Sequence, residues 1–239
     1  MILDVGIGTP EGQNGGGSAH GGAGGDGHAA SPTPSGYLGS TNVYGSISRP
    51  IFFGSSIKQS KGGGAVRIVA SVSVVVESSG SISVNGGGRK NIANHQGSAS
   101  GGSILIETPL LEVGGVIAAN GGDTSTTGYS GGGGGGRIGI HTKSLSWLGN
   151  SSQSRSSAML LANGGRKICT SGCYPGFPGT IYINASMLED LVVSDGVTLN
   201  GLVPVAEDVA WKSLNVHGIL ELGITPSLTS GCTLIIVHQ

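Results

Sequence analysis

Charge is scarce in this chain. Of 239 residues, 10% are charged, with 12 Lys+Arg against 13 Asp+Glu and a net charge of −1. Typical globular domains carry about 25% charge. So sparse and balanced a set excludes a charge-driven nucleic-acid binder. Aromatic residues make up 4% and proline numbers 9, with no strict glycine at every third position, which excludes collagen. No apolar run reaches the length of a membrane-spanning helix. The opening Met1-Ile2-Leu3-Asp4 has no basic region or long apolar stretch, so no signal peptide is read there. Simple disorder is also excluded, because 37% of the residues are apolar and the net charge is small.

Cysteine is nearly absent, with 3 in all. Cys169 and Cys173 lie four apart in a turn-rich segment, and the spacing points to a small disulfide loop and an oxidising compartment. The alternative is two reduced thiols. Cys232 lies in an apolar run and reads as buried. Too few cysteines, and no histidine cluster, remain for a zinc site. Two Asn-x-Ser sequons, at Asn150 and Asn184, are candidate glycosylation positions.

Glycine is what the chain has in excess, at 48 residues. Each interior glycine costs a helix about 1 kcal/mol relative to alanine, so a mostly helical fold is excluded. The glycines punctuate two repeated motifs. The first is Gly64-Ala-Val66-Arg67-Ile68, then Gly102-Ser-Ile104-Leu105-Ile106, Gly136-Arg-Ile138-Gly139-Ile140 and Gly179-Thr-Ile181-Tyr182-Ile183, at spacings of 38, 34 and 43 residues. The second follows each of the first three copies: Ile82-Ser-Val84-Asn85-Gly86-Gly87, Ile117-Ala-Ala119-Asn120-Gly121-Gly122 and Leu160-Leu-Ala162-Asn163-Gly164-Gly165.

Period-2 alternation in the first motif marks half-buried strands. Its inward set is Val66 and Ile68, Ile104 and Ile106, Ile138 and Ile140, Ile181 and Ile183. One unit alone has too few apolar residues for a core, and stacked units would bury these in ladders. The expected fold is therefore all-β: a parallel β-helix, or β-solenoid, with long glycine-rich loops. Those loops either stay floppy or pack as extended polyglycine-type segments on one flank. Three regions are expected: 1–61, an N-terminal strand and long Gly/Ser-rich loop; 62–186, the repeats; and 187–239, compact β coils continuing the same solenoid. Asn85, Asn120 and Asn163 are expected to stack at one corner, with independent Asn-Gly turns as the alternative. Neither end shows a polar cap, so the ends are expected to meet neighbouring segments or partners.

These motifs, separated by Gly-Gly-Gly loops over roughly 12–186, resemble the glycine-rich β-helical repeats of large extracellular and cell-surface proteins. The resemblance implies a structural or adhesive role and carries no catalytic residues.

Chemistry has few candidates. On the outward ladder, Glu107 and His141 would be neighbours, and a carboxylate beside a histidine can orient it as a general base. The competing reading is a plain polar ladder, which we favour because no second charged cluster supports the pair. The segment from Gly21 to His28 matches a calcium-binding nonapeptide in a single copy, without the consecutive copies that share calcium. No metal or other cofactor is assigned. The Gly131–Gly136 run lacks the Lys-Ser/Thr ending of a phosphate loop.

The expected function is a structural or adhesive extracellular module, forming or decorating a surface appendage, fibre or matrix, and not an enzyme. Its expected partners are copies of itself or neighbouring segments, glycans, or a cell-surface receptor. Alternatives are a carbohydrate-binding or polysaccharide-cleaving β-helix, with Arg67, Glu107, His141 and Tyr182 as its candidates, and a receptor-recognition surface on the glycine-rich loops. Ice binding has no support, since no threonine ladder repeats.

Overall fold

Short alternating aliphatic runs bounded by glycine favour strands over helices. The computed structural model describes residues 15–27, 38–57, 60–88, 97–124, 130–148, 158–169 and 173–184, and the backbone of five later strands. The elements in chain order are β1 (Ala65–Val69), β2 (Ser73–Val76), β3 (Ser81–Ser83), β4 (Ser103–Val113), β5 (Val116–Ala118), β6 (Arg137–Trp147) and β7 (Met159–Leu161). They continue with β8 (Thr180–Ile183), β9 (Asp190–Val193), β10 (Thr198–Asn200), β11 (Ser213–Val216), β12 (Ile219–Leu220) and β13 (Thr233–Ile236).

All strand pairings between these elements are parallel. One five-stranded sheet runs β1-β4-β6-β8, with β2 also paired to β4. A second runs β12-β10-β7-β5-β3, and a three-stranded sheet runs β13-β11-β9. The second sheet crosses the expected boundary at 186/187, since β7 pairs directly with β10.

The core lies between the first two sheets. Register aligns Val66, Ile104, Ile138 and Ile181 in one row, and Ile68, Ile106, Ile140 and Ile183 in the next. Ile117, Leu160, Ala119 and Ala162 come from the second sheet and its flanks to meet them. Ile104, Ile106, Ile138, Ile140 and Ile181 are fully buried, while Val66 and Ile68 at the sheet edge are half-buried. Each buried isoleucine contributes on the order of 1.5–3 kcal/mol.

The two long strands bend midway. In β4 the buried positions shift from Ile104 and Ile106 to Leu111 and Val113, so the alternation changes phase around Thr108 and Pro109. Thr108 donates to the carbonyl of Leu110 at 3.1 Å, and Thr142 in β6 donates to Ser144 at 2.8 Å and Pro109 at 3.2 Å. These hydroxyls satisfy carbonyls where the ladder is interrupted. Proline is tolerated there because that position needs no ladder donor.

The structure corrects the expected parallel β-helix. A solenoid repeats one coil, and each coil touches its sequence neighbours. Here the units are unequal: β1 and β2 together face the single 11-residue β4, whereas β8 has four residues. The described strands form separate parallel sheets, two of five strands and one of three. Residues 15–27 do not stack as one more coil either. They bond at once to Ser98, Gly131, Gly132, Gly135 and Phe177, far away in sequence.

Glycine is the physical reason for that intercalation. Without side chains, backbones from distant segments approach closely enough to exchange hydrogen bonds. One line of backbone N–H donors and carbonyl acceptors runs from Gly176 to Gly165, Gly133, Gly122, Ala99, Gly87 and Lys61 at 2.7–3.0 Å. A crossing set runs from Gly17 to Gly25 and on to Gly132, each at 2.8 Å, and then to Tyr174 at 2.9 Å. A Cβ added at Gly133 would collide with the carbonyl of Ala99, which is fixed backbone.

Residues 45–53 form a cover over the outer face of the first sheet. Pro50 and the Ser48 carbonyl sit where a side chain at Gly139 would project. Ser103 donates to the Phe52 carbonyl at 2.6 Å. Leu105, in register with Gly139, is buried but lies outside the main core cluster.

Candidate functional site

The Asn-Gly-Gly motifs sit just past β3, β5 and β7, whose register places Ser83, Ala118 and Leu161 side by side. Two residues on, Asn85, Asn120 and Asn163 form a ladder. Asn85 Oδ1 accepts the backbone N–H of Asn120 at 2.7 Å, and Asn120 Oδ1 accepts that of Asn163 at 2.9 Å. In return, the N–H groups of Gly86 and Gly121 donate to the carbonyls of Asn120 and Asn163, each at 2.8 Å.

The pattern continues beyond the asparagines. Asp123 Oδ1 accepts the backbone N–H of Arg166 at 2.7 Å, and Thr124 Oγ1 accepts that of Ile168 at 2.9 Å. The Arg166 guanidinium also pairs with Asp123 Oδ2 at 2.8 Å. That hydrogen bond and charge raise the Arg166 pKa above its ordinary value. Sequence reasoning missed Asp123, Thr124 and Arg166. The available signal was their offset of three or four residues from the motif asparagines.

The ladder borders an open groove of about 780 Å³, lined by the three asparagines, Asp123, Arg166, Pro178 and glycines on either side. Among the described residues, the lining has no aromatic side chain and one mutually neutralising ion pair.

Glu107 and His141 lie opposite each other across β4 and β6. Their polar atoms are engaged elsewhere. Arg67 donates to Glu107 Oε2 at 2.7 Å, and Arg49 from the cover donates to Oε1 at 3.1 Å. The Arg67 hydrogen bond, with the nearby positive charges, lowers the Glu107 pKa. His141 Nε2 meets the Ser48 carbonyl at 2.6 Å, Nδ1 meets Asn184 Nδ2 at 3.3 Å, and the ring packs against Tyr182. The arrangement fits Nε2–H as donor and Nδ1 as acceptor. Asn184 therefore has its amide nitrogen against a ring, and Asn150 lies outside the described residues.

A second polar cluster is buried. His20 is fully enclosed, with Nδ1 at 2.8 Å from the Gly101 carbonyl and its ring 4.6 Å from that of Tyr44. Burial lowers its pKa to about 4, and the Arg137 charge pushes the same way. Arg137 is itself buried, and donates to the Tyr44 carbonyl at 2.9 Å and Thr180 Oγ1 at 3.0 Å. Desolvation lowers its pKa. The sequence offered no sign of this cluster, since its members come from five distant segments.

Cys169 and Cys173 form a disulfide, and Cys173 bridges to Gly27 in antiparallel fashion. Cys232 and His28 lie outside the described residues. Asp26, in the nonapeptide-like segment, spends Oδ1 on the N–H of Gly39 at 2.7 Å. Among the described residues, no group of three potential metal ligands converges, and no helix is long and apolar enough to cross a membrane.

No protein-family model matches this chain, and no curated protein or solved structure does.

Proposed function

We propose that this chain is a structural or adhesive module of an extracellular or cell-surface assembly. The observation that carries the reading is the contrast between the two outward-facing polar sites. Glu107 and His141 are held by the cover and by arginines. The groove instead presents amides and bare backbone beside one self-paired ion pair, Asp123 and Arg166. A hydrogen-bonded glycine layer resists deformation while carrying no reactive side chain. The Cys169–Cys173 disulfide is compatible with an oxidising exterior.

The test pairs adhesion with turnover. Beads coated with the purified chain should adhere to isolated cell walls or extracellular matrix, and soluble polysaccharides should gain no new reducing ends. Release of reducing ends that disappears in Glu107→Ala or His141→Ala would replace this reading with a polysaccharide-cleaving one.

A further inference from the structure

The asparagine ladder does more than hold a corner. Each Oδ1 of Asn85 and Asn120 is consumed by the next backbone N–H, which fixes how the amide is turned. The Nδ2 groups of Asn85, Asn120 and Asn163 have no partner among the described residues. Asn163 Oδ1, at the end of the row, has none there either. The result is three in-register N–H donors and a terminal acceptor beside a groove of about 780 Å³. Parallel neighbours set their interval at about 4.8 Å.

We infer that this groove binds an extended, uncharged polyhydroxylated chain, a neutral glycan, laid along the ladder. The inference rests on the adhesive reading and names its ligand class.

Three features select that chemistry. The donors need acceptors and the terminal Oδ1 needs a donor, and a hydroxyl supplies both. Charge is disfavoured because Asp123 and Arg166 already neutralise each other across 2.8 Å. An anion would meet the Asp123 carboxylate, and a cation would meet the guanidinium and the amide N–H groups. Spacing argues against a peptide strand. Same-face carbonyls in such a strand recur about every 6.7 Å, out of step with donors about 4.8 Å apart.

The described lining holds no aromatic platform, which makes single-site affinity modest. Many modules on one surface would then supply the avidity that adhesion requires.

The experiment titrates isotopically labelled protein with neutral β-linked gluco-oligosaccharides of two to six rings, and with oligogalacturonates as the anionic arm. The expected result is movement of the Nδ2H₂ resonances of Asn85, Asn120 and Asn163, with affinity rising with ring number. Asn120→Asp keeps an acceptor for the Asn163 N–H but removes the donors, and should weaken binding about tenfold at unchanged thermal stability. Asn85→Asp, at the open end of the row, provides a second variant. The inference is overturned if neutral oligosaccharides at millimolar concentration leave those resonances in place. It is equally overturned if oligogalacturonates bind better, or if both variants bind like the parent chain. Bead adhesion separates the two levels. Adhesion that persists while the groove stays silent removes the glycan groove alone, and loss of all adhesion removes the underlying reading.

Discussion

Asn120 is held between two like residues: its backbone N–H donates to Asn85 Oδ1 at 2.7 Å, and its own Oδ1 accepts the N–H of Asn163 at 2.9 Å. Side chain and backbone alternate along the row, so each asparagine satisfies its neighbour. Removing one rung leaves a donor unpaired without disturbing the isoleucine rows. Asn120→Ala should therefore lower stability by about 1 kcal/mol, whereas Asn120→Asp should stay near the parent value. Urea unfolding of the three proteins measures both differences, and equal midpoints for Ala and parent would deny the ladder any energetic role.

Glycine positions should divide sharply by what a Cβ would meet. At Gly133 it would strike the Ala99 carbonyl, inside the long line of backbone hydrogen bonds. At Gly64 it would meet nothing within 4 Å. Gly133→Ala should cost more than about 3 kcal/mol or prevent folding. Gly64→Ala should be neutral or stabilise by up to about 1 kcal/mol through the unfolded chain. Thermal unfolding by circular dichroism distinguishes them.

His20 predicts an acid-side loss of stability. Its folded pKa is about 4, against 6.5 for the free side chain. Above pH 6.5 both states are neutral and the residue adds no pH dependence. As pH falls from 6.5 to 4 the unfolded chain takes up a proton that the folded chain refuses, so stability declines. The loss is on the order of 3 kcal/mol once pH is below the folded value. Denaturant titrations across this window should show the slope, and His20→Gln should flatten it.

The disulfide is open to direct counting. Alkylation of the unfolded, unreduced chain should label one of its 3 cysteines, and alkylation after reduction all of them. Its loop is short, so the cross-link should stabilise by only about 2 kcal/mol. Three labels without reductant would show that the bond does not form in the isolated protein.

Much of the local pattern was legible. Ile104-Leu105-Ile106 and its counterparts announce strands with a buried face, because alternation is a property of adjacent residues. The Asn-Gly-Gly repeats announced equivalent positions for the same reason. The inner half of the candidate site could thus be named in advance, while Asp123 and Arg166 could not, since their pairing depends on the register of two units.

Composition and spacing by themselves determined that the described residues form strands and not long helices, that the strands carry small aliphatics on one side, and that glycine separates them. Tertiary structure alone decided that separate parallel sheets form instead of a β-helix, and that residues 15–27 enter between distant glycine segments. It also decided that residues 45–53 close over Glu107 and His141 while the asparagine groove stays open. The physical reason lies in glycine itself. A side chain limits which neighbours can approach, and its periodicity advertises the choice. A bare backbone accepts many partners, and only the folded chain selects which carbonyl each N–H will meet.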